Sequence, residues 1–171
     1  MTPTLNTERL VLRPLTKATQ RQVDWLRDPQ VVAFSEQRHA HHSLSSQLTY
    51  IRSRPPGSHL WAIEHVADGA HIGNISADAD EPNHIADLGV MIGDREQWGK
   101  GFATEAFKAA SAWLLDKDAG GFRKLECGFM AANHAMRKVA ERSGFTFEGE
   151  RRAHFMLGNE LTAAVYYGRF R

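Results

Sequence analysis

The chain switches repeatedly between two hydrophobic periods, and the switch points lay out its elements. Apolar residues alternate with polar ones, or run unbroken for a few positions, over residues 9–14, 60–65, 71–76, 85–92 and 124–130, as in strands of a sheet. Elsewhere the spacing lengthens to the three and four of a helix. Thr16 can cap a first helix that runs to about Leu26 and stops at Asp28-Pro29. Ser43 can cap a second, in which Leu44, Leu48 and Ile51 share a face before Pro55-Pro56-Gly57 breaks the chain. The longest helical face carries Ala103, Ala106, Phe107, Ala110, Trp113 and Leu114, with Gly120-Gly121 as its stop. Asp68-Gly69 turns a hairpin between the 60–65 and 71–76 strands, and residues 78–84 read as a polar loop. Leu125, Cys127 and Phe129 line one side of the 124–130 strand. A short helix and a closing hairpin at Gly158-Asn159 follow. No repeat, low-complexity tract or linker intervenes, so residues 1–171 are expected to form one domain, a mixed sheet flanked by helices, α/β in the α+β sense.

Composition narrows the class without naming the chemistry. With 171 residues, 42% of them hydrophobic, the chain can bury a sizeable core. A net charge of +1 gives no global pull toward nucleic acid or membrane. Residues 1–6 lack the basic and apolar regions of a signal peptide, and no apolar run reaches the length of a membrane span. Cys127 is the single cysteine, which excludes an internal disulfide. A cytoplasmic location is the expectation.

The most informative stretch is Gln97-Trp98-Gly99-Lys100-Gly101-Phe102-Ala103-Thr104-Glu105-Ala106, which opens the long helix directly after the 85–92 strand. Glycines bring backbone N–H groups close to a phosphate, and a helix N-terminus adds unpaired amides and partial positive charge. A P-loop would need Ser or Thr after the Gly-Lys pair and a glycine five residues ahead of the first; Gly101 and Asp94 hold those places. A dinucleotide fingerprint wants a small residue where Thr104 stands, and an acid closing the next strand, which residues 124–130 lack.

The stretch instead resembles the pyrophosphate-binding motif of the GNAT superfamily of acyl-CoA N-acyltransferases, at Gly99, Lys100, Gly101 and Ala103. Its Trp-Gly-Lys-Gly-aromatic-Ala-Thr-Glu-Ala form is most similar to the branch of ribosomal-protein N-terminal acetyltransferases and related amino-sugar and polyamine acetyltransferases. Trp98 stands where many other members carry Gln or Arg. Thr7-Glu8-Arg9-Leu10-Val11-Leu12-Arg13-Pro14 resembles the family's opening strand, and Asn133, Ser143-Gly144-Phe145 and Glu148-Gly149 its second motif. The resemblance implies the GNAT fold, in which two central parallel strands splay apart. It implies acetyl-CoA as cosubstrate, no metal, no nucleic-acid or membrane partner, and an amine acceptor that is a ribosomal-protein N-terminus or a small amine or amino sugar. It also admits a homodimer. The coenzyme would meet the backbone of Met91, Ile92 and Gly93, the loop Gln97, Trp98, Gly99, Lys100, Gly101, Phe102, Ala103 and Thr104, and the side chain of Asn133, whose reading as a helix N-cap is equally good.

Acyl transfer to an amine needs a proton acceptor, because an alkylammonium of pKa about 10.4 has no lone pair at neutral pH. Asp87 matches the acid two residues before the strand glycine in many relatives, and a buried place at the sheet centre would raise its pKa toward the working range. A solvated acid beside a strand bulge is the other reading. Glu150 and His154 near the final hairpin are further candidates for the base. Relatives place a serine or a tyrosine at positions occupied here by Met136 and Ala140, neither of which donates a proton. Tyr166 or Tyr167 could serve only if the last strand faces the cleft. That gap keeps a second class open, a non-catalytic coenzyme A-binding sensor or interaction module. Cys127 reads as a buried strand residue, His39, His41 and His42 as solvated loop histidines, and Glu36-Gln37-Arg38-His39 as a border of the acceptor cleft. Asp78, Asp80 and Glu81 could draw a cationic amine.

Overall fold

The computed structural model describes residues Met1–Arg171. Its strands are β1 (Leu5–Asn6), β2 (Leu10–Pro14), β3 (His59–His65), β4 (His71–Asp80), β5 (Ile85–Ile92), β6 (Lys124–Met130), β7 (Thr146–Leu157) and β8 (Glu160–Phe170). Its α-helices are α1 (Gln20–Arg27), α2 (Leu44–Arg52), α3 (Phe102–Leu115) and α4 (His134–Arg142). All eight strands form one sheet in the order β1-β2-β3-β4-β5-β6-β8-β7, in which β5 and β6 are the parallel pair and every other pairing is antiparallel. The crossover between the parallel strands is α3, as parallel connection requires.

Alternation along the strands separates two faces. Trp61 and Ile63 of β3, Ala86 and Leu88 of β5, and Leu125, Cys127 and Phe129 of β6 join Ala106, Phe107, Ala110 and Leu114 of α3 in a core of 24 buried residues. On the other face Leu60 and Ala62 are buried outside that core, as are Val23, Trp25 and Leu26 of α1. Trp25 reaches the far end of β5: a Cβ at Gly93 would collide with its indole, so only glycine lets α1 close on the strand there. Gly93→Ala is expected to cost about 1–3 kcal/mol by overpacking, read as a fall in the denaturation midpoint at unchanged m-value.

Three expectations need correction. The first helix is capped by Thr19, not Thr16, because the Gln22 side chain accepts in return from the Thr19 N–H and completes a capping box. Residues 78–80 are strand rather than loop, since Asp78 and Asp80 pair with Asp87 and Ile85 and the turn tightens to residues 81–84. Leu44 is exposed and α2 buries none of its residues fully, so its apolar face is not a core face. Ser43 does cap α2, with Ser46 reciprocating.

Candidate functional site

β5 and β6 hold together over only three residue pairs, Ile85 with Lys124, Ala86 with Leu125 and Asp87 with Glu126. Residues 88–92 and 127–130 then stay bonded to β4 and β8 respectively but not to each other, which opens a wedge in the middle of the sheet. Backbone groups on the inner edges of the wedge lack strand partners. Gly93 donates its N–H to the Ile72 carbonyl (2.9 Å) on the β4 side. Alternation then turns the Met91 N–H toward β4 as well and leaves the N–H groups of Val90 and Ile92 facing the wedge. The Ile92 carbonyl is taken by the Trp98 indole N–H at 2.7 Å, which folds the following loop back onto the end of β5.

That loop delivers the start of α3 to the open end of the wedge. Gly99 and Gly101 both have left-handed φ, +76° and +84°, and Gly101 is the helix N-cap. None of the backbone N–H groups from Gly99 to Thr104 donates to another group of the protein, and the first helical bond is Glu105 N–H to the Gly101 carbonyl. Six consecutive amides at a helix N-terminus form a concave donor site for an anion. Lys100 adds a charge at its rim, its Nζ resting 3.1 Å from Gln97 Oε1.

The turn between β1 and β2 stiffens this site. Arg9 donates through Nη1 to the Lys100 carbonyl (3.1 Å), through Nε to Glu105 Oε2 (2.7 Å), and lies 4.5 Å from the centre of the Phe102 ring. The Thr7 hydroxyl and the Arg9 N–H both donate to Glu105 Oε1. Burial pushes the Glu105 carboxyl up, but these hydrogen bonds and the guanidinium outweigh it and hold it below the ordinary range. Arg9, Thr7 and Glu105 carry no signal of this pairing in one sequence; they are about a hundred positions apart, and only folding the edge of the sheet under α3 joins them.

Asp87 sits at the closed end of the wedge, where β5 and β6 part, on the face away from the core. It is central but not buried as expected, because water reaches it from the wedge. Asp78 on β4 and Glu126 on β6 flank it in register. Crowding by the sheet desolvates the carboxyl all the same, and with the Glu126 charge beside it raises its pKa to about 6. Two residues further into the wedge Gly89 and Gly128 leave the floor open, and the Tyr166 ring lies over Gly128, 3.1 Å from where a Cβ would stand.

A family model described as an acetyltransferase (GNAT) domain matches residues 9–146, most of the chain. The chain belongs to the GNAT acetyltransferase family. No curated protein matches it in sequence. Solved structures share the fold at low identity. The chain is similar to RimL, a ribosomal L7/L12 alpha-N-protein acetyltransferase in complex with coenzyme A, at 19% identity over 98% of each chain with a TM-score of 0.79. It is similar to MccE, a microcin C7 self-immunity acetyltransferase in complex with acetyl-CoA and AMP, at 17% identity, 96% and 94% coverage and a TM-score of 0.78. A spermidine N-acetyltransferase SpeG chimera from Vibrio cholerae and hSSAT aligns at 16% identity over 94% of each chain with a TM-score of 0.74.

Against that GNAT frame the remaining candidates separate. Asn133 caps α4, its Oδ1 accepting from the Met136 N–H at 3.0 Å. Ala140 is fully buried and Met136 packs on the core, so both are packing positions here. Glu150 and His154 lie on β7, the outermost strand, with β8 and β6 between them and β5; Glu150 faces Arg152, and His154 rests against the Phe155 ring. The structure does not bring them to Asp87. Tyr167 points into the core, where its hydroxyl donates to Glu141 Oε1 (3.3 Å), whereas Tyr166 faces the open side. Burial pushes the Cys127 thiol up to about 12, with the Asp87 charge adding to it, so no reactive thiolate forms. His42 is buried with Nε2 2.8 Å from the Gln37 carbonyl, and no group of three metal-ligating side chains gathers around it. Arg38, its side chain only 16% exposed, donates to the Met156 carbonyl at 2.9 Å and touches Met130 Sδ, tying residues 36–39 to the far side of the wedge. No helix is long and apolar enough to cross a membrane.

Proposed function

We propose that the chain is an acetyl-CoA-dependent N-acetyltransferase acting by direct attack of an amine on the thioester, with Asp87 as the base. The observation that carries this reading is the junction of two features: six unpaired amides at the start of α3 and the wedge between β5 and β6 that leads from them to Asp87. A pyrophosphate at the amides would leave the pantetheine arm to run along the wedge, where the Val90 and Ile92 N–H groups face it.

The chemistry follows from the groups around the wedge. Asp87, ionised above about pH 6, takes a proton from the acceptor ammonium, directly or through water. The freed nitrogen lone pair forms a bond to the carbonyl carbon, and the oxygen takes the electron pair of the C=O bond. The N–H groups lining β5 stabilise that oxyanion. When the carbonyl reforms, the C–S bond breaks and the thiolate departs with the pair, while the nitrogen, cationic since the attack, releases its second proton to water. A thiol of pKa about 8.5 leaves readily, so water suffices to protonate it where Met136 and Ala140 cannot.

The acceptor is a protein N-terminus or a small amine or amino sugar. RimL acts on a ribosomal protein and SpeG on spermidine, and both kinds of acceptor are primary amines that suit an exposed, acid-flanked base. Coenzyme A release measured across peptides with free N-termini, polyamines and amino sugars, with mass spectrometry of product, tests the reading. Turnover of one class is the expected result. Tight coenzyme A binding with no turnover on any amine would instead establish a binding module.

A further inference from the structure

We infer that Glu126 is a positioning residue that sets the pH at which Asp87 works, held to that task by Lys124 and Glu148; the inference rests on the reading of Asp87 as base. Asp87 and Glu126 form the last pair before β5 and β6 separate. Paired residues on neighbouring parallel strands lie about 4.8 Å apart across the ladder and point to the same face. The two carboxylates therefore share the closed end of the wedge.

Glu126 does not stand alone. Lys124 Nζ lies 2.8 Å from Glu126 Oε1 and 2.7 Å from Glu148 Oε2, and its side chain is only 14% exposed. Glu148 reaches it by lying across Gly168, where any Cβ would strike the carboxylate. Thus β7, β8 and β6 together fix one ammonium between two carboxylates, one of which is the neighbour of Asp87. Asp78 from β4 is the other charge flanking Asp87, and Arg54 is its ion-pair partner. Cys127 faces the opposite side as a neutral thiol. Asp78 is thus matched by its own cation, whereas Lys124 divides its charge between two acids. Glu126 keeps a residual negative charge toward Asp87. Like charges this close favour the protonated form of one of them.

The test is a pair of substitutions with opposite signs. Glu126→Gln removes the like charge, so the acidic limb of the pH–kcat/KM profile should move down by about half to one pH unit. Lys124→Gln leaves Glu126 and Glu148 uncompensated, so the limb should move up by a similar amount. A merely structural role would lower activity at every pH without displacing the limb. The limb staying in place in both variants, in a protein where Asp87→Asn abolishes it, overturns the inference while leaving the base intact. If Asp87→Asn keeps the limb, the base assignment fails instead. The inference about catalytic pH then falls with it, and the ¹³C titration of the Asp87 carboxyl, expected to shift down in Glu126→Gln and up in Lys124→Gln, shows whether the electrostatic link itself exists.

Discussion

Gly101→Val should raise the KM for acetyl-CoA by about a hundredfold or more while the protein stays folded. Gly101 holds φ +84° as the N-cap of α3, and its neighbourhood is open, the nearest atom to a built Cβ being an Arg9 nitrogen at 3.6 Å. Space is therefore not the obstacle. The left-handed conformation costs an ordinary L-residue about 1–2 kcal/mol, and a β-branched side chain more. The loop relieves that strain by turning Gly101 out of its conformation, which swings the amides on either side away from their common focus. Losing two hydrogen bonds to a charged group, at about 1.5–3 kcal/mol each, accounts for the expected factor. The core of α3 begins beyond the loop, at Phe102, Ala106 and Phe107, so the thermal midpoint should change little. Calorimetric titration with coenzyme A checks the prediction. Wild-type affinity in a folded variant would remove the anion site from the account.

Asp87→Asn should lower kcat by about 10²- to 10⁴-fold, the usual contribution of a general base, with acetyl-CoA affinity nearly intact because the amides lie at the other end of the wedge. The wild-type profile should fall on the acid side near pH 6, where the carboxyl takes up its proton, and the variant should lack that limb. A second readout is independent of turnover. The folded-state pKa of Asp87 is raised above its unfolded value, so its ionisation opposes folding. Any stability it favours is present below the unfolded pKa and lost as pH rises through about 6. The variant should therefore gain thermal stability relative to wild type between about pH 4 and pH 6 and hold a constant lead above. Equal rates from pH 6 to 9, taken with equal stability curves, would make Asp87 an ordinary surface acid.

The elements that govern these outcomes were not equally legible. The 85–92 and 124–130 strands, the glycine loop and the cap at Ser43 are local: side-chain period, backbone freedom at glycine and a hydroxyl three residues from an amide are properties of short segments. Thr19 displaced Thr16 as a cap because the reciprocal bond from Gln22 decides between two equally good hydroxyls, and that bond exists only once the turn has formed. Residues 78–80 read as loop because their acids look solvated, but pairing with β5 outweighs that preference. The motif of Asp87 puts it at the sheet centre, yet its exposure depends on where β5 and β6 stop pairing.

The amino-acid sequence by itself determined the chemistry available: a glycine-opened helix after a strand, one acid beside a strand glycine, and no hydroxyl at Met136 or Ala140. Only the tertiary structure decided which groups meet. Arg9 and Glu105 join across the sheet edge, Glu150 and His154 fall two strands beyond β6, and Glu126 comes beside Asp87. The reason is physical. Periodicity and turn preference act over a few residues, whereas the order and register of strands follow from burying one face of the whole sheet at once, and a one-residue slip would turn every side chain to the other face.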